Sequence, residues 1–94
     1  MNISVEIRKE ICLALNATSM HLKRQAVEVV HDPEYADLED MYLGDALDYE
    51  IVLELFINGQ TQEALSRYWL MDTAARDMID CFITPGAHRT FFQC

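Results

Sequence analysis

The chain has 94 residues and a formal net charge of −9 at neutral pH, with 51% hydrophobic residues, three glycines and two prolines. That length fits one small domain with one core, and an apolar content this high with so few chain breakers excludes a disordered acidic tail. No uncharged apolar run approaches the ~18 residues of a membrane span, and the opening MNISVEIRKE, charged by Glu6, does not read as a secretory leader.

The first segment is helical by its spacing. Ile3, Ile7 and Ile11 recur every four residues, and Ile11, Leu15, Thr18, Leu22, Gln25 and Val29 continue in steps of four and three, which keeps one stripe on one helix face. Asn16-Ala17-Thr18-Ser19 interrupts the stripe with residues that favour caps over helix interiors. The expectation is one helix from about Ser4 to Val30, or two that meet near Ser19.

Asp32-Pro33-Glu34 then supplies an acceptor for a helix cap, a proline for the first helical position and a carboxylate for the first turn. A second helix is expected from Asp32, with Tyr35, Leu38, Tyr42, Asp45, Tyr49, Val52 and Phe56 in steps of three and four. Gly44-Asp45 offers a break inside it, because glycine costs ~1 kcal/mol in a helix and aspartate caps well. Asn58-Gly59 suits the left-handed turn that ends a helix.

Thr61 is placed to cap a third helix with Glu63 in its first turn. Ala64, Leu65, Tyr68, Trp69, Met71, Ala75, Met78, Ile79 and Phe82 give it a wide apolar face, and it is expected to end before Thr84-Pro85-Gly86. No alternating β-branched run bounded by hairpin turns is present. The fold class predicted is all-α: a small antiparallel bundle of three long helices over residues 1–83, four or five if Ser19 and Gly44 break them, with a short tail at 84–94. Phe91 and Phe92 in that tail either fold back on the bundle or reach a partner.

Catalytic patterns are missing from the sequence. It contains no glycine-rich phosphate loop, GxSxG, CxxC or HExxH, and Cys12, Cys81 and Cys94 are an odd set at unrelated spacings, read as thiols in a reducing compartment. His21, His31 and His88 have no cysteine at a zinc-like spacing. Glu28-x-x-His31 is half of a di-iron pattern whose second half only a homodimer would supply, and the acidic run from Asp37 fails as a calcium loop because Met41 occupies the fifth position. Neither enzyme activity nor a metal or cofactor is expected.

Charge is distributed in blocks. Residues 1–24 carry +2 and residues 67–94 carry 0, whereas residues 25–66 hold eleven acidic side chains and no lysine or arginine. Carboxylates set along one helix repel one another by a few tenths of a kcal/mol per close pair, so a solvating role alone comes at a cost. The sharper expectation is a negative ridge about 30 Å long, of the same sign as the phosphate rows of duplex DNA. On this reading the chain is a cytoplasmic, non-catalytic inhibitor or modulator that docks on a basic protein surface, a nucleic-acid enzyme among the candidates. Phage and mobile-element proteins that disarm host enzymes share this composition. Asp37, Glu39, Asp40, Asp48 and Glu50 are the expected contact residues, with Tyr42 as the aromatic contributor.

Two alternatives stand beside it. A homo-oligomeric structural or chaperone-like protein would use the apolar face with Trp69, Met71 and Met78. A helix-turn-helix across LFINGQTQEALSRYW would offer only Arg67 to phosphates, against the field of a chain at −9, so direct nucleic-acid binding is not expected.

Overall fold

The computed structural model describes residues 5–92. Ile3, Ser4, Cys94 and the side chain of Phe91 lie outside what it describes. Five α-helices follow in order: α1 (Val5–Val30), α2 (Glu39–Ile57), α3 (Thr61–Trp69), α4 (Thr73–Asp77) and α5 (Ala87–Phe91), with 3₁₀ turns at Ala36–Leu38 and Met78–Cys81. No strand occurs among the described residues, and the all-α class expected from the sequence holds.

The helix α1 is unbroken through Ser19. Its cap-forming residues find other work inside the helix: the Thr18 hydroxyl donates to the Ala14 carbonyl at 2.6 Å, and the Ser19 hydroxyl donates across to the Ala46 carbonyl of α2 at 3.2 Å. Both side chains are buried, so each hydroxyl relies on the hydrogen bond it makes within the chain. Ile11, Leu15, Thr18 and Leu22, the stripe read from the sequence, are all buried, so that face packs on α2.

Contacts along the two helices run in opposite directions. Arg8 near the start of α1 reaches the Phe56 carbonyl near the end of α2, whereas Ser19 reaches Ala46. The pair is therefore an antiparallel hairpin, and α2 continues through Gly44 because Tyr42, Ala46 and Tyr49 on either side of it pack against the core. Packing outweighs the intrinsic cost of one glycine. The entry to α2 also differs from expectation. Asp32 accepts the Glu34 backbone N–H at 3.0 Å and holds a turn, but the regular helix begins only at Glu39, after the 3₁₀ turn.

The exit from α2 follows the sequence closely. Gly59 has φ +80°, Gln60 N–H bonds to the Leu55 carbonyl at 2.9 Å and Gly59 N–H to Phe56 at 3.2 Å, the paired bonds of a Schellman turn. Helix α3 starts at Thr61 itself, with Gln60 in the cap position, so Thr61 does not cap it.

The third long helix is divided where no break was expected, at Leu70-Met71-Asp72. Asp72 adopts φ −58° and ψ 146° and opens α4, and the Arg76 guanidinium donates to the Trp69 carbonyl at 3.1 Å, satisfying the end of α3. This turn brings the carbonyls of α4 under two buried phenols. Tyr49 donates to the carbonyls of Ala75 and Arg76, and Tyr68 donates to Arg76 at 2.9 Å. Burial pushes both phenols well above the ordinary tyrosine range, so they remain donors.

The C-terminal segment folds back on the bundle. Phe92 is fully buried and stacks on Tyr68, with ring centroids 4.2 Å apart and planes 19° from parallel, while Trp69 donates its indole N–H to the Phe92 carbonyl. One core joins α1 to α4, the 3₁₀ turn at Met78–Cys81 and Phe92 just after α5, drawn from Ile11, Leu15, Tyr49, Val52, Phe56, Leu65, Tyr68, Ala75, Ile79 and Phe92.

Candidate functional site

The core lies toward one end of the hairpin. Between residues 25 and 42 the only buried residue is Ala26, and of that stretch only the half-buried Tyr42 packs against the main core. The last turns of α1, the connecting segment and the first turn of α2 thus form a two-helix tip carried beyond the five-helix body, in a molecule measuring 47 × 22 × 20 Å.

That tip carries Glu28, Asp32, Glu34, Asp37, Glu39 and Asp40, and no lysine or arginine. Five of the six are exposed and Glu39 is half-exposed. Among the described residues none of the six enters an ion pair. Tyr35, Met41 and Leu43 stand exposed among them.

The six residues expected to carry the contact divide into two groups. Asp37, Glu39, Asp40 and Tyr42 belong to the tip or its base, with Tyr42 turned partly into the core so that Tyr35 presents the more exposed ring. Asp48 and Glu50 sit further along α2 and have partners within the chain. Arg67 of α3 donates to Asp48 at 2.8 Å, and Lys23 of α1 pairs with Glu50, which also accepts the Ser19 hydroxyl at 3.3 Å. The Lys23 hydrogen bond holds the Glu50 carboxyl below its ordinary range. The acidic ridge read along the whole of α2 is therefore interrupted: Asp48 and Glu50 are paired by neighbouring helices, and the tip carboxylates are not.

No family model matches the chain, and comparison with curated proteins and with solved structures returned no match.

A second constellation lies outside the tip and was not anticipated from the sequence. His88 of α5 is 2% exposed and sits between two carboxylates, its Nδ1 2.7 Å from Asp80 and its Nε2 3.3 Å from Asp77. Asp80 also accepts the Gly86 backbone N–H at 3.2 Å. These three groups are close enough to suggest a metal site. Each carboxylate, however, faces a different ring nitrogen, and the two nitrogens point away from each other. Such a set holds the ring from both sides, by a hydrogen bond to Asp80 and a longer contact to Asp77, instead of converging on one ion. The clamp anchors α5 to the 3₁₀ turn at Met78–Cys81. A sequence signal for it exists in the i, i+3 pair Asp77 and Asp80 ahead of the Pro85-Gly86 turn, but only the fold brings His88 back to them.

The helix, turn and helix order proposed for DNA binding is present as α2, Asn58-Gly59-Gln60 and α3. Its one cation, Arg67, is held by Asp48. Among the described residues no helix is long and apolar enough to cross a membrane.

Proposed function

We propose that this protein acts by binding another protein, without catalysis, and that the acidic hairpin tip is the surface it presents. The observation that carries the reading is the set of six carboxylates at one end of the molecule with no cation of their own, while Asp48 and Glu50 lower on the same helix are paired. Packing like charges together without compensation costs free energy, and a partner rich in lysine and arginine would recover it.

The partner class is a protein whose basic surface ordinarily grips nucleic acid. Tip and phosphate backbone share their sign, and the tip stands clear of the body, so it can enter a groove that the five-helix end cannot. Tyr35, Met41 and Leu43 would give the electrostatic contact an apolar centre. The chain would then be an inhibitor or modulator of a nucleic-acid enzyme, working in the cytoplasm, as a phage or mobile-element product would.

Affinity capture from a nuclease-treated lysate of the source cell tests this. The native chain is compared with Asp37→Asn, Glu39→Gln, Asp40→Asn, which leaves the Asp48 and Glu50 pairs intact. A nucleic-acid-binding protein retained by the native chain and lost from the variant is the expected result. The same proteins retained equally by both chains would remove the tip from the mechanism.

A further inference from the structure

Both long helices carry apolar side chains on the face turned away from the core. On α1, Leu13 is 70% exposed, Met20 48% and Val27 63%; on α2, Leu43 is 43% exposed and Leu47 55%, with half-buried Ile51 following. Scattered exposed leucines are ordinary, but these are ordered. At 100° per residue, Lys9, Leu13, Met20, Arg24 and Val27 fall within about 60° of one another, and Asp40, Leu43, Leu47, Ile51 and Glu54 within about 80°.

Each stripe contains an apolar stretch flanked by two like charges, and the flanking charges are opposite on the two helices and matched in spacing; Val27 lies beyond Arg24 on α1. On α1 the run is base, Leu13, Met20, base: Lys9 and Arg24 stand four residues outside the apolar pair and roughly 22 Å apart along the axis. On α2 it is acid, Leu43, Leu47, Ile51, acid: Asp40 and Glu54 stand three residues outside and roughly 21 Å apart. Lys9, Arg24, Asp40 and Glu54 are all exposed and none takes an ion-pair partner among the described residues. Each flanked stretch, Lys9 to Arg24 and Asp40 to Glu54, is nearly symmetric about its middle, so two helices can pair through them in either direction.

We infer that the outer face of α1 is an interface for a second copy of this chain, seated through the outer face of that copy's α2. Leu13 and Met20 pack among Leu43, Leu47 and Ile51 of the neighbour, and Lys9 and Arg24 meet Asp40 and Glu54 at the two ends. The same α1 face placed parallel on another α1 would set Lys9 on Lys9 and Arg24 on Arg24, which the complementary arrangement avoids. Because the two faces of one chain point in different directions, the contact is head-to-tail, and assembly grows past a pair. A seam this short is at the small end of specific interfaces, so the association is reversible and weakened by salt. The seam shares Asp40 and Leu43 with the tip, whereas Asp37 and Glu39 take no part, and self-association is read on the pure chain with no partner present.

Sedimentation at low ionic strength over ~1 μM to ~1 mM reads it directly. The native chain should rise in mass from 10.9 kDa to beyond two chains as concentration increases. Lys9→Glu with Arg24→Glu, and separately Asp40→Lys with Glu54→Lys, should each stay monomeric alone, and an equimolar mixture of the two should associate again. A native chain that stays monomeric throughout, growth that stops at two chains and ignores the α2 substitutions, or a mixture that does not associate would overturn the inference. If a charge-swapped chain loses helicity, Leu13→Gln and Leu47→Gln replace it: each should weaken association about tenfold or more, and unchanged association would be equally contrary.

Discussion

Arg67 of α3 holds Asp48 of α2 at 2.8 Å, joining residues 19 apart in sequence and taking one carboxylate out of the acidic run. The pair is partly exposed, so breaking it should cost at most ~1 kcal/mol. Asp48→Asn should lower the melting temperature by no more than a few degrees and leave partner affinity unchanged, in contrast to the tip substitutions. Parallel melting curves and binding isotherms check both halves of the statement.

Gly44 lies on the exposed side of an intact helix, and a Cβ added there meets nothing within 4 Å. Gly44→Ala should therefore stabilise the fold by about 0.5–1 kcal/mol, through helix propensity and a less flexible unfolded chain. Urea denaturation measures it. A loss of stability would mean that α2 is kinked or open at that point.

Phe92 fills the core from the C-terminal side, stacked on Tyr68 and fully buried. Phe92→Ala should cost about 3 kcal/mol, a large share of the stability of a domain this small, and should release α5. Amide exchange would register faster exchange at His88 and Arg89 than in α1. Exchange unchanged by the substitution would contradict the packing described.

Two carboxylates give opposite pH dependences. Burial, with Asp48 and Asp72 nearby, raises Asp45 above its ordinary value. Its charged form is thus disfavoured by folding, and Asp45→Asn should stabilise the protein at neutral pH, with the gain fading as pH falls through the raised value, where native Asp45 is already protonated. Glu50 is lowered, chiefly by the Lys23 hydrogen bond. Its contribution is present above the ordinary carboxylate value and lost as pH falls through the lowered one, and Glu50→Gln should remove it. The Glu50 side chain is 40% exposed and its Lys23 partner 53%, which keeps that contribution small. Denaturation midpoints from about pH 3 to pH 7 separate the two signs.

The sequence showed the long-range order of this fold where one physical effect dominates. Apolar steps of three and four placed Ile11, Leu15, Leu22, Tyr49, Val52 and Phe56 on buried faces, and the left-handed preference of Gly59 marked the end of α2. It misled where local propensity competes with packing. Ser19 and Gly44 look like breaks in isolation, yet the first is absorbed by a hydrogen bond to Ala46 and the second by core contacts on both sides. The actual break at Leu70-Met71-Asp72 depends on Arg76 returning to the Trp69 carbonyl, a tertiary contact. The candidate site divides in the same way. A cation-free stretch is visible in one dimension, but which carboxylates remain free is decided by Lys23 and Arg67, which arrive from other helices.

The central claim is that the tip binds through its charge. Once the captured partner is in hand, its affinity for the native chain and for the Asp37→Asn, Glu39→Gln, Asp40→Asn variant is measured calorimetrically across ~50 to ~300 mM salt. Affinity of the native chain should fall steeply with salt, and the variant should bind more weakly at every point with a shallower dependence. Equal affinity and equal salt dependence in the two chains would contradict the claim.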